Sequence, residues 1–145
     1  YGTEQGYEGG NDPANREPLW WSGFDTSGAL FQHVQQMVQL RKSHPALTHG
    51  DTEFTWVTDR TSDEEDAGML AFERSDGSET LLIAINTSDS NTANTAYDGD
   101  VMLTSFSSGT SLSDLAGSGQ SYTVGSGGTL EIELEPRGFV ILEAQ

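Results

Sequence analysis

The chain has 145 residues, 34% of them hydrophobic and 20% charged, which is enough for one ordinary domain or a small domain with an appendage and argues against wholesale disorder. Its formal net charge is −17, with 23 acidic residues against 6 basic ones and a single lysine, Lys42. That balance excludes nucleic acid as a partner, because a polyanion needs a basic footprint; the lack of cysteine removes disulfides and thiolate metal sites, and no apolar run approaches the roughly 18 residues of a membrane span.

From the N-terminus, Gly6, Gly9, Gly10, Asn11, Asp12 and Pro13 cluster as turn formers, so the chain begins with a loop. Asp25, Thr26 and Ser27 are N-cap candidates for a following helix. Leu30, Phe31, Val34, Met37 and Val38 recur at helical spacing, with Gln32, Gln35, Gln36 and Gln39 on the other faces. Arg41, Lys42 and His44 fall where cations favour the negative end of a helix, and Pro45 disfavours helix at His44. The spacing predicts one helix from about residue 26 to about residue 43.

The period then changes. Residues 52–58, 69–74, 80–86, 101–106, 121–124, 130–134 and 139–142 read as short strands, several with clean alternation, as in Leu130, Ile132 and Leu134 against Glu131, Glu133 and Glu135. Ser75-Asp76-Gly77-Ser78, Tyr97-Asp98-Gly99-Asp100 and Gly125-Ser126-Gly127-Gly128 are turn material. Many short strands with regular turns predict a mainly β, antiparallel Greek-key sandwich over residues 48–145, preceded by a loop-and-helix region over residues 1–47. A lone helix without a strand partner, together with a start at Tyr1, is expected of the last piece of something larger.

Two segments carry a resemblance. Tyr1-Gly2-Thr3-Glu4-Gln5-Gly6 followed by Gly9-Gly10-Asn11-Asp12-Pro13-Ala14-Asn15-Arg16-Glu17-Pro18-Leu19-Trp20 resembles the end of the eighth barrel strand, and the loop after it, in α-amylases of glycoside hydrolase family 13. Leu40-Arg41-Lys42-Ser43-His44-Pro45-Ala46-Leu47 resembles the end of that family's eighth barrel helix. The resemblance implies that residues 1–47 are the last loop and helix of a (β/α)₈ barrel, that residues 48–145 are the family's C-terminal β domain, and that the loop 6–21 lies at the rim of the substrate cleft, where such barrels carry their active sites. It further implies a parent that hydrolyses internal α-1,4 bonds of starch with retention, with starch or malto-oligosaccharide and the rest of the barrel as partners. The parent would hold calcium and be secreted to the extracellular space; the acidic, lysine-poor surface also suits a salty habitat, tested by a melting temperature that rises in molar salt.

In the family two catalytic carboxylates come from the fourth and fifth strands and a third follows the seventh, all upstream of the segment matched here, so no catalytic residue and no cofactor is expected on this chain. Glu4, Glu8, Asp12 and Glu17 crowd the first loop. As a catalytic pair two of them would have to stand about 5–5.5 Å apart; otherwise they bind sugar or backbone, the preferred reading. The motif implies that Asp12 and Arg16 contact glucose hydroxyls, since a carboxylate accepts and a guanidinium donates, although an ion pair that pins the loop is the alternative. Trp20 and Trp21 would stack on sugar rings or fill a core, and Tyr7 shares that ambiguity. His33, His44 and His49 lack metal-ligand spacing, and Asp63-Glu64-Glu65-Asp66 lacks the alternation of a calcium loop, so no metal site is expected. Trp56, Tyr97 and Tyr122 are expected as core aromatics rather than a starch platform. A non-catalytic carbohydrate-binding module or a purely structural β-sandwich remains the competing reading.

Overall fold

The computed structural model describes residues 1–145. They form two compact units, residues 1–43 and 44–145.

The first unit is a loop with two 3₁₀ turns, Thr3–Gln5 and Leu19–Ser22, leading into α1, Ala29–Ser43. The helix starts about three residues later than its cap candidates imply. The Asp25 carboxylate takes the Ser27 amide at 2.8 Å and the Ser27 hydroxyl at 2.6 Å, closing a local turn, and the first intrahelical bond runs from the Gln32 amide to the Gly28 carbonyl. No residue of α1 is buried, and its apolar stripe of Phe31, Val34, Met37 and Leu40 stays half-exposed.

The second unit opens with a helix that the sequence reading lacks, α2 (Pro45–His49), which straddles the boundary expected after Leu47. His44 is extended, as the residue before a proline prefers, and Pro45 then starts a new turn at a position where its missing N–H is harmless. Ala46 is fully buried, and α2 packs on the second and third strands of the sheet that follows. Gly50 closes this packing: a Cβ there would stand 2.5 Å from the Ala46 carbonyl oxygen and 2.9 Å from the Ser75 backbone.

Strands β1 (Asp51–Val57), β2 (Met69–Ser75), β3 (Thr80–Asn86), β7 (Ser111–Asp114), β8 (Ser121–Thr123) and β10 (Phe139–Ala144) form one antiparallel sheet in the order β1-β2-β3-β10-β7-β8. The last strand therefore returns to the middle. Two short ribbons pair β4 (Ala93–Asn94) with β9 (Glu133–Leu134) and β5 (Ala96–Tyr97) with β6 (Asp100–Val101). The result is the mainly β antiparallel sandwich that the turn spacing predicts. Met69, Ala71, Leu82, Ala84, Val140, Leu142 and Leu112 from the sheet pack with Met102, Val124, Leu130, Ile132 and Leu134 in one core.

Three details differ from expectation. The run 101–106 pairs only at Val101 and through an isolated bridge from Leu103 to Thr129, and 130–134 pairs only at its end. Their apolar residues supply core, while their backbone bonds cross between layers: Thr95 Oγ1 donates to the Leu130 carbonyl and accepts the Ile132 amide. Strand β7 lies outside the expected strands because Ser-Leu-Ser-Asp offers one apolar side chain, Leu112, whose burial suffices.

Asn86 and Glu73 find partners in the interior, whereas Arg74 Nε is buried without one. Asn86 Nδ2 donates to the carbonyls of Asn91, Leu134 and Glu135 at 2.9, 3.0 and 3.1 Å, and its Oδ1 accepts the Ser88 amide at 2.9 Å. Glu73 accepts the Ser105 amide at 2.8 Å.

Candidate functional site

In the first unit the loop is organised around Tyr7. Its hydroxyl donates to the Pro18 carbonyl at 2.9 Å and accepts the Ser22 amide at 3.2 Å, so one phenol clamps both ends of the Leu19–Ser22 turn. Gly2 makes room for that ring: a Cβ there would stand 2.6 Å from it, and its φ of +74° also favours glycine. Tyr7 is thus a positioning residue, a role hidden in the sequence because its partners are backbone groups.

Held this way, the turn presents Trp20 and Trp21 outward, with 69% and 70% of their surfaces exposed. Neither is a core residue in this chain. Asp12 and Arg16 lie on the turn 11–16, which the amides of Ala14 and Arg16 close onto the carbonyls of Asn11 and Pro13. Arg16 Nε stands 3.1 Å from Asp12 Oδ1, with side chains 78% and 68% exposed. The pair therefore shows the geometry of the ion-pair alternative while both groups keep free lone pairs and protons toward solvent. Glu17 accepts the Gly9 amide at 3.3 Å and so has a backbone role. Glu4 sits in the first 3₁₀ turn, and Glu8 is exposed.

Tyr1, Asn15, Arg16, Glu17, Pro18 and Trp20 line a cleft of about 360 Å³, at the small end of ligand pockets. Aromatic faces beside amide, guanidinium and carboxylate groups are what a sugar ring asks for: apolar C–H faces stack, and hydroxyls find donors and acceptors. Asp12, Arg16, Trp20 and Trp21 are brought onto one loop, with Arg16 and Trp20 on one cleft. Asn15 and Tyr1 join the lining, which only the folding of the loop could disclose.

In the second unit Trp56, Tyr97 and Tyr122 are occupied. Trp56 packs against the core and donates its Nε1–H to Asp66 Oδ2 at 3.0 Å. Asp66 is fully buried and takes Arg60 in a fork, Nε to Oδ1 at 2.7 Å and Nη2 to Oδ2 at 2.6 Å. Burial pushes this carboxyl up, but the bonds from Arg60, Trp56 and Thr58 outweigh it and hold Asp66 below the usual carboxylate range. The Arg60 guanidinium covers the Tyr97 ring at 3.8 Å. Tyr122 packs against the core and donates to Gln120. Of the acidic run 63–66, then, Asp66 is a structural anchor, while Asp63, Glu64 and Glu65 are exposed.

Of the histidines, His33 and His49 are exposed, whereas His44 is half-buried with Nδ1 2.6 Å from Glu79 Oε1.

Over residues 60–145 the chain matches the family described as the α-amylase C-terminal all-β domain. It is 34% identical over 134 residues to a cyclomaltodextrin glucanotransferase of Bacillus sp. (strain 17-1), covering 91% of this chain and 17% of that protein. A cyclomaltodextrin glucanotransferase of Paenibacillus macerans is 37% identical over 132 residues, covering 90% of this chain and 16% of the relative. Among solved structures, an Anoxybacillus α-amylase superposes with a TM-score of 0.74 at 28% identity, covering 100% of this chain and 28% of that one. The chain thus spans about a sixth of the curated relatives it matches, and it resembles the C-terminal portion of glycoside hydrolase family 13 enzymes.

Proposed function

The chain belongs to the family of α-amylase C-terminal all-β domains, and from that premise we propose that it is the C-terminal portion of a secreted glycoside hydrolase that cleaves internal α-1,4-glucosidic bonds of starch with retention. In this reading the first unit supplies substrate contacts through Asp12, Arg16, Trp20 and Trp21. The second unit is the β domain, and the catalytic carboxylates and any calcium are held by other parts of the parent. The observation that carries it is the Tyr7-clamped loop, which offers two exposed indoles and an exposed Asp12–Arg16 pair beside a cleft. That two relatives are glucanotransferases admits a parent that passes the glycosyl group to a sugar hydroxyl rather than to water; both reactions need the same sugar contacts from this loop.

The second unit acts as scaffold in this account rather than as a binding module. Trp56 and Tyr122 are engaged with the core, and Tyr97 lies under Arg60. The sheet face opposite the core carries two apolar rows, Phe54–Phe72–Ile83–Ile141 and Val57–Leu70–Ile85–Phe139, by strand register. Phe54 and Val57, at the β1 ends of these rows, are exposed, which supports a role in burying another part of the parent.

The test is kinetic, in the full-length enzyme that carries this segment. Arg16→Ala and Asp12→Ala should each lower kcat/KM on malto-oligosaccharides about tenfold or more, since charge-assisted hydrogen bonds to hydroxyls are lost. A lowered melting temperature with unchanged kcat/KM would reduce the pair to a loop pin.

A further inference from the structure

The register of the sheet brings together three residues that the sequence keeps far apart. Glu143 on β10 stands opposite Leu81 on β3. Glu79 lies two residues before Leu81 and, by the alternation of a strand, on the same face, so the two glutamates are diagonal neighbours. The extended segment before α2 then sets His44 beside them. One ligand atom from each of His44, Glu79 and Glu143 lies within 4.8 Å of the others.

This cluster differs from a solvated acidic surface in three respects. The His44 and Glu79 side chains are only 15% and 20% exposed. Glu79 is oriented from behind: its Oε2 accepts the Ala46 amide at 3.1 Å, leaving Oε1 turned toward the imidazole. Arg16, Arg60 and Arg137 pair with Asp12, Asp66 and Asp89 rather than with Glu79 or Glu143. Two partly buried carboxylates beside one imidazole are an arrangement that favours an added cation.

We propose that His44, Glu79 and Glu143 form a site for a divalent transition-metal ion, Zn²⁺ by donor set. One imidazole nitrogen and two carboxylate oxygens are ligands that zinc accepts, with metal–ligand distances of about 2.0–2.2 Å that place the donors of a tetrahedral site roughly 3.3 Å apart. The observed spread closes to that value by side-chain rotation, with the ion taking the place of the His44–Glu79 hydrogen bond and water filling the fourth position. The Ala46 amide on Glu79 is the outer hydrogen bond that such ligands ordinarily have. Calcium and magnesium fit less well, since both favour more oxygens and no imidazole. The bound ion would tie the segment entering α2 to the start of β3 and to β10, and would raise the melting temperature with the logarithm of the free ion concentration above its Kd. Short-range spacing rules miss the site because His44 and Glu79 are 35 residues apart.

The experiment uses the whole chain, free of affinity tag and stripped with chelator, titrated with Zn²⁺ by calorimetry and, in parallel, with Co²⁺ by visible absorption. The expected result is one equivalent of Zn²⁺, a Co²⁺ spectrum of four-coordinate intensity, and a melting temperature that rises on zinc addition. Glu143→Gln leaves the His44–Glu79 bond intact, so its metal-free circular dichroism should match the wild type while its zinc affinity falls at least tenfold. His49→Gln should bind as the wild type does. Absence of stoichiometric zinc binding, equal affinity in Glu143→Gln, or loss of binding in His49→Gln would each overturn the assignment.

Discussion

Replacing Asn86 by alanine removes a side chain that joins the two layers of the β unit. Asn86 is fully buried near the end of β3, and its amide protons serve three carbonyls, at Asn91, Leu134 and Glu135, while its oxygen accepts the Ser88 amide. Two protons shared among three acceptors, plus one accepted bond, amount to about three full hydrogen bonds; at roughly 1 kcal/mol net apiece the substitution costs about 3 kcal/mol. For a unit of this size that lowers the melting temperature by about 12–24 °C. Asn86→Asp should be worse at neutral pH, because a carboxylate turns lone pairs toward three carbonyl oxygens. Part of the loss should return as pH falls and the carboxyl, raised by burial, regains a proton it can donate. Calorimetric melting of both variants between pH 4 and pH 8 decides the matter. A shift under about 5 °C for the alanine variant, or an aspartate variant no less stable than it at pH 7, would refute the claim that this one amide joins the layers.

Other consequences follow from the same packing. Asp66 has a folded-state pKa below its unfolded one, so its contribution is complete above the unfolded value of about 3.9 and is lost as pH falls below it toward the folded value; the melting temperature of Asp66→Asn should therefore be lower than wild type at pH 7 and should fall less steeply on acidification through that window. Gly50→Ala places a methyl against the Ala46 and Ser75 backbone and should destabilise by about 1–3 kcal/mol in urea unfolding; an unchanged midpoint would mean that α2 does not pack on the sheet as described. Amide exchange should be fast over Ala29–Ser43, which buries no residue, and slow in the central strands Thr80–Asn86 and Phe139–Ala144; strong protection of the helix would contradict this. In the parent, Trp20→Ala should raise KM for long malto-oligosaccharides severalfold with little change in stability, because the indole is exposed.

The legible parts of the chain are those where local pattern and burial agree. Leu81 to Ile85 announces a central strand because it is apolar on both faces, and both faces are covered, apart from the half-exposed Ile85. Residues 130–134 alternate cleanly but form little strand, since their apolar side chains are used by the core while the backbone of Leu130 and Ile132 bonds to Met102 and Thr95. Strand β7 is recognisable only through its neighbours β8 and β10, because pairing rather than composition defines it. At the candidate site the motif drew attention to Asp12 and Arg16, and the structure places them as an exposed pair. The clamp by Tyr7 and the His44–Glu79–Glu143 cluster had no sequence signal, for one depends on backbone partners and the other on sheet register.

Reducing-sugar release from soluble starch by the purified chain, with homogeneity checked by intact mass, tests the central claim most directly. The account predicts no release, because the segment is proposed to supply sugar contacts and scaffold while the catalytic carboxylates lie elsewhere in the parent. Release that survives purification and disappears when Glu4, Glu8, Asp12 or Glu17 is changed to its amide would contradict it, and would place the chemistry on the loop itself.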